Sequence, residues 1–178
     1  MKIVAFDPAY KQIGSFIYTY EGSILNCIEL EAVCFVNEFD ASYEDKFLYN
    51  LSMQLRRLIN NDIHLLMEYT EVPRFKSTTL INRVIGVIYA TLHPYIISWH
   101  EISMNTIYSH FKVTGKNKKA MLHKVILKNL PDLITLRKIN LTKESVKLEK
   151  IPKEKLPPDC LDAYSLVKYT LDISSKKT

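Results

Sequence analysis

Four carboxylates stand at positions from which they could hold hard metal ions. Asp7 follows the short apolar run Lys2 to Phe6 and precedes Pro8. Proline cannot donate to a β-ladder, so the strand is expected to end there, with Asp7 at a sheet lip; an ordinary turn aspartate is the competing reading. Glu68 ends a second apolar run, Ile63-His64-Leu65-Leu66-Met67. A carboxylate there is costly unless it is paired in a salt bridge or holds a cation. Asp159 and Asp162 lie three residues apart at the start of the last expected helix. That spacing puts them on one face, although acids in a first turn also suit the helix dipole. The set is more telling than any member. Divalent cations such as Mg²⁺ prefer oxygen ligands. Two of them, about 3.5–4 Å apart, can flank a scissile phosphate and stabilise the attacking and leaving oxygens. Such a centre needs three or four carboxylates from different elements to converge.

The elements that would bring them together can be read from periodicity. Lys2 to Phe6 has the look of a buried strand. Ile13 to Tyr20 is rich in β-branched and aromatic residues, Glu21-Gly22 marks a turn, and Ser23 to Val33 continues as a partner strand. From Ser42 to Asn60 the period changes: Leu48, Leu51, Leu55, Leu58 and Ile59 define a helical face. Ser42 with Asp45 resembles a capping box. Ile63 to Met67 is expected to be a parallel strand, Ser77 to Leu92 a helix stopped by His93-Pro94, and Tyr95 to Trp99 another strand. Shorter helices follow near Asn105 to Phe111 and Lys118 to Leu130. Residues 131–157 are the least regular part. Pro158 opens a last helix reaching about Leu171. This order describes an α/β domain in which an antiparallel meander joins parallel strands. We expect one domain over residues 1–173 and a frayed tail at 174–178.

Composition narrows the class. The 178 residues suit one core, and no run approaches the roughly 18 uncharged apolar residues of a membrane span. The amino-terminal residues are charged too early for a signal peptide, so a cytoplasmic setting is expected. Cys27, Cys34 and Cys160 form no Cys-x-x-Cys pair, which argues against zinc and for three buried free thiols rather than the alternative Cys27–Cys34 disulfide. Formal net charge is +5, and its distribution is uneven. Lys112 to Lys128 contains six lysines and no acid; Arg137 to Lys155 contains seven basic residues against Glu144, Glu149 and Glu154. Such a half-molecule suits a phosphate-tracking surface; a solvated lysine face is the plainer alternative.

Four stretches together resemble the RuvC-type Holliday junction resolvases. Lys2-Ile3-Val4-Ala5-Phe6-Asp7-Pro8-Ala9 with Gly14 resembles their first strand, and Leu66-Met67-Glu68 their second acidic motif. Val113-Thr114-Gly115-Lys116-Asn117-Lys118-Lys119-Ala120 is similar to their Thr-Gly, lysine-bearing loop, and Asp159-Cys160-Leu161-Asp162-Ala163 to their closing Asp-x-x-Asp-Ala helix. The family's glycine after Asp-Pro is Ala9 here, and its glutamine after the central glutamate is Tyr69. The composition suggests a divergent phage or viral member. The resemblance implies an RNase H-like fold with a mixed five-stranded sheet flanked by helices. It also implies a homodimer and paired Mg²⁺-dependent nicks across a four-way DNA junction, with two ions per site and Mn²⁺ as a substitute. Asp7, Glu68, Asp159 and Asp162 would be the catalytic metal ligands. Lys112, Lys116, Lys118 and Lys119 would face DNA, with Lys118 or Lys119 nearest the phosphate. Other RNase H-like nucleases, cutting RNA–DNA hybrids or flaps, use the same acids, and a non-catalytic binder of branched DNA is a further alternative. For the expected dimer we single out the helix from Ser77 to Leu92, whose Gly86 costs helix stability and suits a close helix–helix approach; packing on the sheet is the other explanation.

One aromatic is flanked by cations: Arg74-Phe75-Lys76 follows the central glutamate. Such interleaving suits unstacked bases, where stacking is worth roughly 1–3 kcal/mol per base; alternatively Phe75 staples the next helix to the core. Phe75→Ala separates the two. A wedge residue so changed leaves the melting temperature alone and weakens junction distortion and cleavage. A staple so changed lowers the melting temperature and spares cleavage once folded.

Overall fold

The structure, a computed structural model, describes residues 1–69 and 76–176, and all of their side chains but those of Ala41, Lys76, Ser77 and Thr78. Seven strands form one sheet: β1 (Lys2–Asp7), β2 (Gln12–Tyr20), β3 (Cys27–Val36), β4 (Ile63–Tyr69), β5 (Ile96–Ser103), β6 (Leu133–Asn140) and β7 (Ser145–Pro152). Five helices accompany them: α1 (Glu44–Leu58), α2 (Lys76–Leu92), α3 (Met104–His110), α4 (Lys118–Leu127) and α5 (Pro158–Ser175). The strand order is β5-β4-β1-β2-β3-β6-β7. β1, β2 and β3 form the antiparallel meander; β4 lies parallel to β1 and β5 parallel to β4.

The sheet is buried on both faces in its middle. Side chains alternate along a strand, so Ile3 and Ala5 of β1 enter one core layer with Leu66, Cys160, Ala163, Leu166 and Val167. Val4 and Phe6 enter the other with Phe47, Leu51, Leu55, Val84, Ile88 and Leu92. The second set shows why α1 and α2 form as amphipathic helices: its members recur at four-residue steps. The same alternation fixes the acids. Asp7 is two residues past Ala5 and Glu68 two past Leu66, so both leave the sheet on the α5 side. The register Phe6↔Met67 makes them neighbours at the ends of parallel strands.

Three expectations are corrected. The sheet has seven strands rather than five, because residues 131–157 form β6 and β7. β6 pairs parallel with β3 and antiparallel with β7. β7 is mostly exposed, so backbone pairing rather than apolar burial makes it a strand; its sequence signal is the short polar–apolar alternation Ser145-Val146-Lys147-Leu148-Glu149. Cys34 and Cys160 are buried, but Cys27 is exposed, since β3 begins outside both core layers. The Ser42–Asp45 box does not form. Ala41–Tyr43 is a short 3-10 turn, so Tyr43 takes the N-cap place of α1 and no side chain caps the helix.

Gly14 connects the fold to the acids. It pairs with Asp7 across β1 and β2, and a Cβ placed on it would lie 2.1 Å from the Asp159 carbonyl carbon and 2.6 Å from the Cys160 nitrogen. The start of α5 therefore rests on a bare patch of β2. Gly14→Ala is expected to destabilise the protein by about 3 kcal/mol, the upper end of over-packing costs, or several degrees in a melt. An unchanged melting temperature would show that α5 does not seat there.

Candidate metal centre

Each acid reaches the centre by a separate local rule. Asp7 is the last residue of β1, and Glu68 the penultimate residue of β4. The chain enters α5 in an extended conformation at Pro157, and Pro158 takes the first helical position, where its missing N–H costs nothing. Asp159 falls in the first turn and Asp162 one turn on, within a stretch that is otherwise core. Carboxylate oxygens of Asp7, Asp159 and Asp162 lie within 4.8 Å of one another. Glu68 adjoins this triad through a hydrogen bond with Asp7.

Polar partners fix the carboxylates. Asp162 is only 2% exposed. Lys119 Nζ lies 2.5 Å from its Oδ2 and His123 Nε2 lies 2.8 Å from its Oδ1, so both oxygens are engaged. Gln12 Nε2 donates to Asp159 Oδ2 at 3.0 Å. Of the two lysines singled out from the loop motif, Lys119 reaches the acids. Lys118 instead sits 5.7 Å from the centre of the Tyr108 ring. Lys112 and Lys116 are exposed beside α4. Arg74 and Phe75 lie outside the described residues; Lys76 opens α2. His123 and Gln12 were not anticipated. His123 had a signal, since Lys119 and His123 are four apart and so share a helix face. Gln12 had none, because its role depends on where β2 starts relative to α5.

The electrostatics are those of a crowded, partly desolvated anionic site. Burial, then the charges of Glu68, Asp162 and Asp159, push the Asp7 carboxyl up to about 9, and its hydrogen bond to Glu68 adds to this. Burial also raises Glu68 and Asp159, with the neighbouring acids contributing. Lys119 moves the other way in charge terms: burial would lower it, but its bond to Asp162 and the surrounding acids keep it firmly protonated. Four carboxylates thus face one ammonium. The donors are all oxygen, and the excess negative charge asks for a hard cation. The residues fit a divalent metal centre on both counts.

A stability consequence follows by linkage. Asp7 holds its proton more tightly folded than unfolded, so its contribution is fully present below about pH 4 and is lost as pH rises towards 9. In chelator at pH 8, Asp7→Asn is expected to melt above the wild type, because the amide is neutral without the proton that the buried Asp7 carboxyl must take up on folding. It should also respond less to added Mg²⁺. A variant that melts lower in chelator and gains as much from Mg²⁺ as the wild type would refute the assigned repulsion.

No protein-family model matches the chain, and neither does any curated protein sequence. Solved structures do match. T. thermophilus RuvC in complex with Holliday junction substrate has a TM-score of 0.58 and 9% sequence identity, over 94% of this chain and 90% of that one. A second Thermus thermophilus RuvC structure has a TM-score of 0.49 and 12% identity, over 94% and 91% of the two chains. The likeness to the first is one of fold: the chain has the RNase H-like fold, a mixed sheet flanked by helices, here with seven strands.

Proposed function

We propose that this protein is a structure-selective endonuclease that resolves four-way DNA junctions by paired, Mg²⁺-dependent phosphodiester hydrolysis. One observation carries the reading. Carboxylates from β1 and α5 converge within 4.8 Å, with Glu68 of β4 hydrogen-bonded to Asp7, at the lip of an RNase H-like sheet. Support for a junction comes from the fold likeness to RuvC held with a Holliday junction substrate and from the four sequence stretches that resemble that family.

In this reading Asp7, Glu68, Asp159 and Asp162 hold Mg²⁺, with Mn²⁺ as an alternative occupant. Bound there, the metal supplies Lewis-acid stabilisation of the attacking and leaving oxygens. The chain's own side chains do the positioning. His123 holds one oxygen of Asp162 and Gln12 one oxygen of Asp159, which fixes the direction of both carboxylates. Lys119, protonated and beside Asp162, is placed to meet a non-bridging phosphate oxygen. Lys112, Lys116 and Lys118 extend the positive charge along the loop before and into α4. Lys118 and Lys119 occupy the first turn of α4, which contains no acid. The helix dipole disfavours cations at that end; Asp162 counters Lys119, and a nucleic-acid phosphate would counter Lys118.

Two symmetric cuts need two sites related by a two-fold axis, so the reading includes a homodimer. Gly86 of α2 supports it. Gly86 is exposed, and a Cβ built on it meets nothing within 4 Å, so packing on the sheet does not explain the glycine. A second copy of α2 brought close against it would.

The test is nicking of a synthetic four-way junction, set against linear duplex, flap and RNA–DNA hybrid, with and without Mg²⁺. Symmetric nicks in opposing strands of the junction, dependent on Mg²⁺, are expected. Asp7→Asn should keep junction affinity, since removing negative charge near phosphate does not weaken attraction, and should lose cutting by at least about a hundredfold, as for loss of a metal ligand. Preferential cutting of hybrid or flap would reassign the substrate. Junction binding without cutting in either Mg²⁺ or Mn²⁺ would make the protein a binder of branched DNA.

A further inference from the structure

We infer that the outward face of α4, carried by Lys124 and Lys128, is a second DNA contact that takes the phosphate backbone of a duplex arm outside the metal centre. The inference rests on the reading above and extends it from the scissile site to the arm.

Leu122 and Ile126 turn α4 towards the core. Ala120, Lys124 and Lys128 follow one another at four-residue steps on the opposite side, and all three are exposed. Between Lys112 and Pro131 the chain has no acid, so Lys124 has no oppositely charged neighbour one turn away; Asp132, four residues after Lys128, lies beyond the helix and pairs with Lys153. Some lysines elsewhere are neutralised in place. Lys143 pairs with Glu38, Lys147 with Glu149, Lys153 with Asp132 and Lys168 with Asp172. Among the described residues Lys124 and Lys128 take part in no ion pair. The helix dipole favours Lys128 at the carboxyl end, yet the same helix begins with two lysines. A short helix charged with one sign along its length repels itself, and a polyanion relieves that repulsion.

Position selects which polyanion. A cleft of about 420 Å³ between α4 and the start of α5 is lined by Lys116, Asn117, Lys119, Ala120, His123 and Pro158. Lys119 and His123 hold Asp162, so the cleft opens beside the metal centre. Ala120 belongs both to the cleft wall and to the outward stripe, and its small side chain leaves the path between them open. At ~1.5 Å rise per residue, Lys124 and Lys128 lie about 7 and 14 Å along the axis from Lys119. Those distances match about two and four base-pair steps of ~3.4 Å. A backbone leaving the centre through the cleft meets Lys124 and then Lys128. A protein partner fits less well, because stable protein interfaces centre on buried aromatic or aliphatic anchors, and the only large apolar side chain exposed on α4 is Met121.

The experiment compares wild type with Lys124→Gln/Lys128→Gln on four-way junctions whose arms are about 8 or about 25 base pairs long, measuring log K against log salt. Wild type is expected to show the steeper dependence on long arms. The double variant should lose about 1.8 of that slope, at ~0.9 per phosphate contact, and keep wild-type affinity for short arms. Lys124→Arg/Lys128→Arg should restore the slope, which separates charge from folding. Equal long-arm slopes for wild type and the Gln variant would overturn the inference. So would a parallel loss on short arms, which would place both lysines at the centre instead. A wild type that binds neither junction would overturn the nuclease reading together with this extension of it.

Discussion

Mutual repulsion of partly buried carboxylates is the constraint on which the rest of this molecule depends. Asp7, Glu68, Asp159 and Asp162 come from three elements far apart in sequence, and burial and the neighbouring acids disfavour the charged forms of Asp7, Glu68 and Asp159. Nothing local would hold them together. Apolar burial elsewhere does so: Ile3, Ala5 and Leu66 pack beneath Cys160, Ala163, Leu166 and Val167, and this contact fixes α5 against β1 and β4. The acids sit at the rim of that layer, where the cost of bringing them together is offset by the core under them and by the single ammonium of Lys119.

The topology suits that task. Parallel pairing of β1 and β4 places two strand ends side by side, and the helical crossover between them leaves the α5 face free for the returning chain. Gly14 then sets the height of α5 above the sheet. Any side chain there would meet the Asp159 carbonyl, lift the helix and open the cluster. His123 and Gln12 complete the arrangement from opposite sides, one on α4 and one at the start of β2, each donating to a single carboxylate oxygen.

Charge is laid out with equal economy. The acids are confined to one rim, and the unpaired lysines of α4 begin beside them. An anionic pocket bordered by cations can hold a metal ion without repelling a polyanion as a uniformly acidic rim would. The β6–β7 hairpin beyond β3 is partly neutralised: Lys143, Lys147 and Lys153 pair with Glu38, Glu149 and Asp132.

The carboxylates, the helices α1 and α2, and the first four strands were legible in the sequence, because each rests on a local rule. Apolar period distinguishes strand from helix, Pro8 ends a strand, Pro158 starts a helix, and alternation decides which face Asp7 and Glu68 take. Other features depended on the tertiary structure. β7 stands because β6 offers it a backbone to pair with; the short alternation around Val146 and Leu148 hints at a strand but not at its partner. Lys118 and Lys119 are adjacent and chemically alike; the seating of α4 against α5 alone sends Lys119 to Asp162 and Lys118 to Tyr108. The requirement for glycine at position 14 lies in a contact with residues almost 150 positions away. Local sequence determined which groups could do chemistry and on what kind of element each would stand. Packing between distant segments decided which of them meet, since a separation in space set by core burial leaves no periodic trace in the chain.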